Sequence, residues 1–167
     1  GILPNKSMLL LYGAPKVGKS LLALNIALAL ANGSNWLDFE IANKYTTLII
    51  QSEVNYYQLK DRIKIMASTK YPEAKNNLFM TEPISLDIYE RKGVHMVIKW
   101  IEQYNPKVLI FDPLKDFHCL DENQNHHMAG IMGMFREIIE KYCVSIILVH
   151  HATKYKDSSG GANIRGA

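Results

Sequence analysis

The eight residues Gly13-Ala14-Pro15-Lys16-Val17-Gly18-Lys19-Ser20 match the pattern G-x-x-x-x-G-K-[ST] of a phosphate-binding loop. The apolar run Met8-Leu9-Leu10-Leu11-Tyr12 comes directly before the loop, and an apolar stretch over residues 21–31 comes directly after it. In this order of strand, loop and helix, the glycines let successive backbone N–H groups point at phosphate oxygens, and the helix N-terminus adds its positive dipole end. The pattern therefore predicts a nucleotide site, against the alternative of a chance match in a glycine-containing turn.

Each polar residue of the loop has an expected role. Lys19 is predicted to reach the β- and γ-phosphates, and the Ser20 hydroxyl is predicted to complete the shell of a Mg²⁺ ion that otherwise takes phosphate oxygens and waters. The predicted nucleotide contacts are Gly13, Ala14, Pro15, Lys16, Val17, Gly18, Lys19, Ser20 and Leu21.

The composition fits one soluble globular domain, with 167 residues of which 48% are hydrophobic and 21% are charged. The chain opens at Gly1 without Met and stops in a glycine-rich stretch. We therefore expect a single core domain over residues 1–167 that lacks its last strands, with residues 152–167 forming a flexible loop or tail. The longest apolar stretch, residues 21–31, is far short of the ~20 residues that a membrane span needs, so no membrane association is expected.

The two cysteines indicate the cellular compartment, and the net charge limits how the protein could contact nucleic acid. Cys119 and Cys143 lack C-x-x-C spacing, which indicates a reducing compartment, with the cytoplasm as the natural assignment, and argues against a disulfide framework or a zinc site. The formal charge of +3 is small, so any contact with nucleic acid must come from a local basic patch.

Strand-like runs alternate with helical patterns along the chain. This alternation predicts an α/β fold with a mostly parallel sheet covered by helices on both faces. Strands are predicted over residues 8–12, 46–51, 78–80, 108–112 and 145–150, and helices over residues 19–31, 56–66, 94–104 and 128–142.

Ligands of an open parallel sheet bind at the carboxyl ends of its strands. Asp112 follows the apolar run 108–111 and is predicted to hold Mg²⁺ with Ser20, although alone it could be an ordinary strand-end carboxylate. Glu53 follows the second strand and is predicted to orient the attacking water. Its alternative is a helix N-terminal acid that favours the dipole of the next helix.

Two histidine pairs invite functional interpretation. Adjacent strand residues point to opposite faces, so only one of His150 and His151 can face the phosphates; His150 is preferred as a sensor of the γ-phosphate, and metal binding by the pair is disfavoured. His126-His127, near Asp121-Glu122, is more simply a solvated loop before a helix with Asn125 as its N-cap than a metal cluster.

The basic end of the chain leaves two interpretations open. Lys154, Lys156 and Arg165 lie in a Ser- and Gly-rich segment after the last predicted strand. This segment is either a solvated loop, or it contacts nucleic acid or reaches a neighbouring subunit's nucleotide as a charged finger.

Together these motifs resemble the RecA-like hexameric ATPases, and most closely the RepA-type replicative helicase group, the AAA domain of the twenty-fifth class. The resemblance spans nearly the whole chain. It is carried by the phosphate loop with its preceding strand, residues 48–53 with Arg62, Asp112-Pro113-Leu114 with Asp121-Glu122-Asn123, and His150-His151-Ala152-Thr153-Lys154 with Arg165-Gly166.

The resemblance implies a RecA-like P-loop fold, ATP and Mg²⁺ as cofactors, and a ring of subunits, hexameric in the family, with single-stranded DNA as partner. It implies that Lys19 and Ser20 bind phosphate and Mg²⁺, that Glu53 is the catalytic carboxylate, that Asp112 is the second acid, and that His150 is the sensor. Arg165 is the candidate finger for the adjacent site, unless that residue lies beyond Ala167.

Two departures from the family pattern bear on the rate of hydrolysis. Lys16 stands where the group usually has Gly, and Val54 stands where many relatives carry a second acid. The expected function is a Mg²⁺-dependent ATPase that acts as an oligomeric DNA helicase or replication motor. The alternative is a slow regulatory nucleotide switch of the same class without unwinding activity.

Overall fold

The computed structural model of the chain describes residues 2–120 and 124–151. Five strands form one sheet in which every neighbouring pair is parallel, in the order β1-β5-β4-β2-β3. The strands are β1 (Met8–Gly13), β2 (Thr47–Gln51), β3 (Leu78–Met80), β4 (Val108–Asp112) and β5 (Ser145–His151). The helices are α1 (Lys19–Asn32), α2 (Tyr56–Lys70), α3 (Arg91–Tyr104) and α4 (Asn125–Tyr142), with short 3-10 turns at Ala74–Asn76 and Leu114–Phe117. The predicted α/β fold with a parallel sheet is confirmed.

The alternating side chains of the strands divide the core between the two faces of the sheet. On one face, Ile110 of β4 and Val149 of β5 pack with the apolar side of α1 and with Leu59 of α2. On the other face, Phe111 and Leu148 pack with residues of α3 and α4. Because both faces are covered, the central strands are apolar throughout, and polar groups occur where the strands end.

Several helix boundaries differ from the prediction for physical reasons. Helix α2 runs on to Lys70, because the helix-breaking Pro72 comes only after its C-cap residue Tyr71. Helix α3 begins at Arg91 and includes Gly93, where a Cβ atom would lie 1.8 Å from the carbonyl oxygen of Asp87. This glycine allows a close approach of two backbones and does not mark a helix boundary.

The N-cap prediction for α4 is wrong by one residue. Asn125 is the first helical residue, and Gln124 occupies the N-cap position. Helices α1 and α3 end within one residue of the predicted ends at 31 and 104, because Gly33 and Asn105 follow them in left-handed backbone conformations, with φ of 69° and 44°.

Within the described ranges, none of the helices combines the length and the apolar character that crossing a bilayer requires. Cys119 and Cys143 are both exposed free thiols. Lys154, Lys156 and Arg165, and with them the predicted tail over residues 152–167, lie outside the described residues.

Candidate nucleotide site

The phosphate loop joins β1 to α1 and contains two backbone conformations of the left-handed type. Gly18, the N-cap of α1, has φ of 92°, a value that only glycine adopts readily. Lys16 has φ of 64°, also in the left-handed region. This conformation gives a physical reason for the family's preference for Gly at position 16, and the loop forms here with a lysine in its place.

Lys19 is the most enclosed charged group of the loop, with 7% of its surface exposed. Its Nζ donates to the carbonyl oxygens of Gly13 at 2.9 Å and Ala14 at 2.7 Å, and lies 3.1 Å from Nδ1 of His151. An ammonium has only donors, so in a hydrogen bond between these two groups Nδ1 is the acceptor. The amine is thus held at the mouth of the loop, where an incoming phosphate can replace the carbonyl oxygens as its partner.

Ser20 and Asp112 connect two distant parts of the sequence. The Ser20 hydroxyl donates to Oδ1 of Asp112 at 3.1 Å, although 92 positions separate the two residues. The strands β1 and β4 are not neighbours, because β5 lies between them. The contact forms because α1 begins above the carboxyl end of the sheet, and it places a hydroxyl and a carboxylate side by side, which is a ligand set suited to Mg²⁺.

The carboxyl group of Asp112 has a raised pKa. The pKa is raised from the ordinary value of 3.8 to about 6. Burial is the largest cause, and the nearby charges of Glu53 and Asp116 act in the same direction, while the Ser20 hydrogen bond and the Lys19 charge act in the opposite direction. The negative charge at this point of the nucleotide-free protein is therefore costly. A divalent cation would relieve that cost, so the donor set fits Mg²⁺ in charge as well as in chemistry.

This shift predicts a pH dependence of stability. The folded protein binds the Asp112 proton more tightly than the unfolded chain, so the stabilising contribution is fully present below about pH 3.8 and is lost as the pH rises through about 6. The full contribution is about 3 kcal/mol in the free energy of unfolding, and about half of it is lost between pH 5 and pH 7.5. Urea unfolding of the nucleotide-free protein at pH 5 and pH 7.5, compared with Asp112→Asn, measures it.

We expect the free energy of unfolding to fall less between pH 5 and pH 7.5 in Asp112→Asn than in the unchanged chain. Asp38→Asn, the same chemical change at an exposed loop position, serves as the control and should follow the unchanged chain. Parallel pH profiles for Asp112→Asn and the unchanged chain would remove Asp112 as the titrating group.

Glu53 lies on the turn that connects β2 to α2, beside the Ser20–Asp112 pair. Its side chain is exposed, and it lines the same cleft as Ser20, Leu21, Arg62 and Asp112. The side-chain cap of α2 is Asn55, which accepts from the Tyr57 N–H at 2.9 Å, so Glu53 lies two residues before the cap. The structure therefore brings Glu53, Ser20, Asp112 and the predicted nucleotide contact Leu21 to one edge of the sheet.

The two histidines at the end of β5 point to opposite faces, as predicted, but the structure brings His151, and not His150, to Lys19. The residues of β5 on the α1 face are Ile147 and Val149, and His151 continues that series. His150 lies on the other face, is 5% exposed, and stacks on the Tyr12 ring at 5.8 Å. The geometry departs from the preference for His150, and its physical reason is the two-residue period of a strand.

The remaining candidates contribute no described contact to this edge. His126 and His127 lie against each other in the first turn of α4, with ring centroids 4.2 Å apart, while Asp121 and Glu122 lie outside the described residues. Over residues 2–120 and 124–151, no group of three or more His, Cys, Asp or Glu side chains is placed to hold a metal ion.

The structure adds Asp116, which the sequence interpretation missed, and a contact between it and Ser52, the neighbour of Glu53 directly after the second strand. The Ser52 hydroxyl donates to Oδ2 of Asp116 at 2.6 Å. In the sequence, Ser52 directly precedes Glu53, and Asp116 follows Asp112. Asp116 lies four residues after Asp112 in a connection that was long enough to suggest function, but no motif marks it. Only the 3-10 turn at Leu114–Phe117 directs its carboxylate back to the sheet.

Comparisons with known proteins agree with this geometry. The chain matches the family described as AAA domain over residues 1–157. No curated protein matches the chain. Among solved structures, a KaiC-like protein from the hyperthermophilic archaeon Pyrococcus horikoshii OT3 is similar, with a TM-score of 0.61 and 15% sequence identity, over 92% of this chain and 64% of that one. At that identity the similarity shows the fold, and this chain spans 64% of the length of that protein. The chain therefore belongs to the AAA domain family and has the RecA-like P-loop fold.

Proposed function

We propose that this domain binds ATP with Mg²⁺ at the carboxyl edge of its sheet and hydrolyses it. The observation that carries the proposal is the hydrogen bond between Ser20 and Asp112, because it joins the phosphate loop to the second acid. A phosphate loop with no acid beside its serine could bind phosphate, but it would lack the carboxylate that holds the metal ion of phosphoryl transfer.

The loop residues bind and orient the phosphates. The backbone N–H groups around Gly18 and the N-terminus of α1 favour negative charge, and Lys19 exchanges its carbonyl partners for phosphate oxygens. Ser20 and Asp112 are the residues that would hold Mg²⁺, which, when bound, neutralises charge on the phosphates.

Glu53 is the residue that we assign to the attacking water. Its carboxylate is exposed at the cleft and lies close enough to Asp112 to raise the pKa of that group. A carboxylate in this place accepts a hydrogen bond from water and orients it toward the γ-phosphate. We assign the sensor role to His151, because it is the histidine whose ring contacts Lys19.

The finer role that we propose is an oligomeric motor on single-stranded DNA, in which a basic residue such as Arg165 serves the nucleotide of a neighbouring subunit. The family membership and the basic residues Lys154, Lys156 and Arg165 support this role. The slow regulatory switch remains the second candidate. The observation that favours it concerns Val54, which stands at the position where many relatives carry a second acid. Its side chain packs against the apolar cluster under α1. Glu53 is therefore the single carboxylate of its turn.

The test is the steady-state rate of ATP hydrolysis with Mg²⁺, with and without single-stranded DNA, over a range of protein concentrations. If the domain is an oligomeric motor, DNA should strongly stimulate ATP hydrolysis, and the rate per subunit should rise with protein concentration. Neutralising Lys154 and Lys156 together should then weaken DNA binding and reduce the steepness of its salt dependence by about two phosphate contacts. Slow turnover that is indifferent to DNA would contradict the motor and favour the switch.

A further inference from the structure

We propose that Ser52 and Asp116 form a clamp that positions Glu53 for hydrolysis. The inference rests on the proposed function, because it concerns the residue assigned to the attacking water. The Ser52 hydroxyl donates to Oδ2 of Asp116 at 2.6 Å, and both side chains are half-buried. A short hydrogen bond to a carboxylate is among the stronger polar contacts in a protein, and this one is adjacent in sequence to Glu53.

A second contact holds the turn on the other side of Glu53. The Val54 N–H donates to Oε1 of Gln51 at 2.8 Å, and Nε2 of Gln51 donates to the Thr81 carbonyl oxygen at 3.3 Å. Gln51 is 3% exposed, so its side chain is held in a buried position at the edge of the core. Glu53 therefore has an exposed side chain on a backbone that is held at the residue before it and at the residue after it.

The clamp also sets the spacing between the two acids of the site. The Ser52 N–H donates to the carbonyl oxygen of Asp112 at 3.4 Å, and the Asp116 N–H donates to the carbonyl oxygen of Pro113 at 3.2 Å. Leu114 and Phe117, on either side of Asp116 in its 3-10 turn, are fully buried and anchor that turn. Ser52 thus connects the turn that carries Glu53 to the segment that carries Asp112. The distance between the carboxylates of Glu53 and Asp112 therefore depends on Ser52.

Asp116 acts through Ser52 and is a positioning residue. Its Oδ2 accepts from the Ser52 hydroxyl, whereas the Ser20 hydroxyl donates to Asp112. Removing the clamp should leave the phosphate loop intact and misplace Glu53. The expected signature is a fall in kcat with little change in KM, because positioning matters most in the transition state.

The experiment measures kcat and KM for ATP in the full chain carrying Ser52→Ala or Asp116→Ala. We expect kcat to fall about 10- to 100-fold while KM changes by less than about threefold. Ser68→Ala and Asp38→Ala, the same truncations at exposed positions away from the site, are the matched controls and should keep both constants. Thermal unfolding verifies that each variant is folded, and Ser52→Thr, which keeps the hydroxyl, should recover most of kcat.

A combined variant separates this inference from the proposed function. In a Glu53→Gln background, adding Ser52→Ala should cause little further loss of kcat, because the clamp is proposed to affect the chemical step by positioning Glu53. A full additional loss, or an unchanged kcat in folded Ser52→Ala, overturns the clamp while leaving Glu53 in place. If Glu53→Gln alone keeps the rate of the unchanged chain, it is the assignment of the catalytic carboxylate that fails.

Discussion

Lys19→Ala is expected to abolish nucleotide binding and turnover together. The amine that now donates to the carbonyl oxygens of Gly13 and Ala14 is the group positioned to donate to phosphate oxygens. Charge-assisted hydrogen bonds contribute about 1.5–3 kcal/mol each, so losing two of them weakens ATP binding about 10²- to 10⁴-fold. Direct titration with a fluorescent ATP analogue in Mg²⁺ measures the affinity, and the rise in Tm on adding ATP gives an independent measure.

Lys99→Ala is the matched control for this prediction, because Lys99 is an exposed lysine on α3. It should bind ATP as the unchanged chain does. Thermal unfolding verifies that the Lys19 variant is folded. Retention of full ATP affinity in folded Lys19→Ala would show that the nucleotide does not use this loop.

Glu53→Gln is expected to keep ATP bound and to lose most of the turnover. The amide has nearly the shape of the carboxylate but cannot accept a proton from water, and groups in this role contribute about 10²- to 10⁴-fold to the rate. Because the side chain is exposed at the cleft and makes none of the hydrogen bonds that hold Lys19, the affinity for ATP should change little. Removing one negative charge beside Asp112 should also lower the pKa of that acid toward its usual range.

Single-turnover hydrolysis measures the chemical step, and titration measures affinity on the same preparation. Glu137→Gln, on the exposed side of α4, provides the same chemical change away from the site and should hydrolyse ATP at the rate of the unchanged chain. If Glu53→Gln also hydrolyses ATP at the rate of the unchanged chain, another group orients the water, and the turn after β2 has only a structural role.

The roles of Lys19 and Glu53 illustrate what local patterns could predict. The loop motif specifies its own geometry, because its glycines and the following helix start are adjacent in sequence. The strands could be located from their apolar runs, and the carboxyl ends of parallel strands always meet at one edge, so Glu53 and Asp112 could be placed together without a structure. The start of α3 departed from the prediction because Gly93, which by its residue type suggested a boundary, lies inside the helix where the backbone approaches Asp87 six positions earlier.

The histidines at the end of β5 mark the limit of that reasoning. The sequence by itself determined the phosphate loop, the parallel α/β class and the fact that His150 and His151 face opposite sides. Which of them meets Lys19 was decided only by the tertiary structure, because it depends on the face of the sheet that α1 covers. The same is true of the Ser52–Asp116 hydrogen bond, since no local pattern records a contact between side chains 64 positions apart that a turn brings back to the sheet. Local sequence fixes periodicity and backbone conformation, whereas the choice of face and the distant polar partners follow from how the helices pack on the sheet.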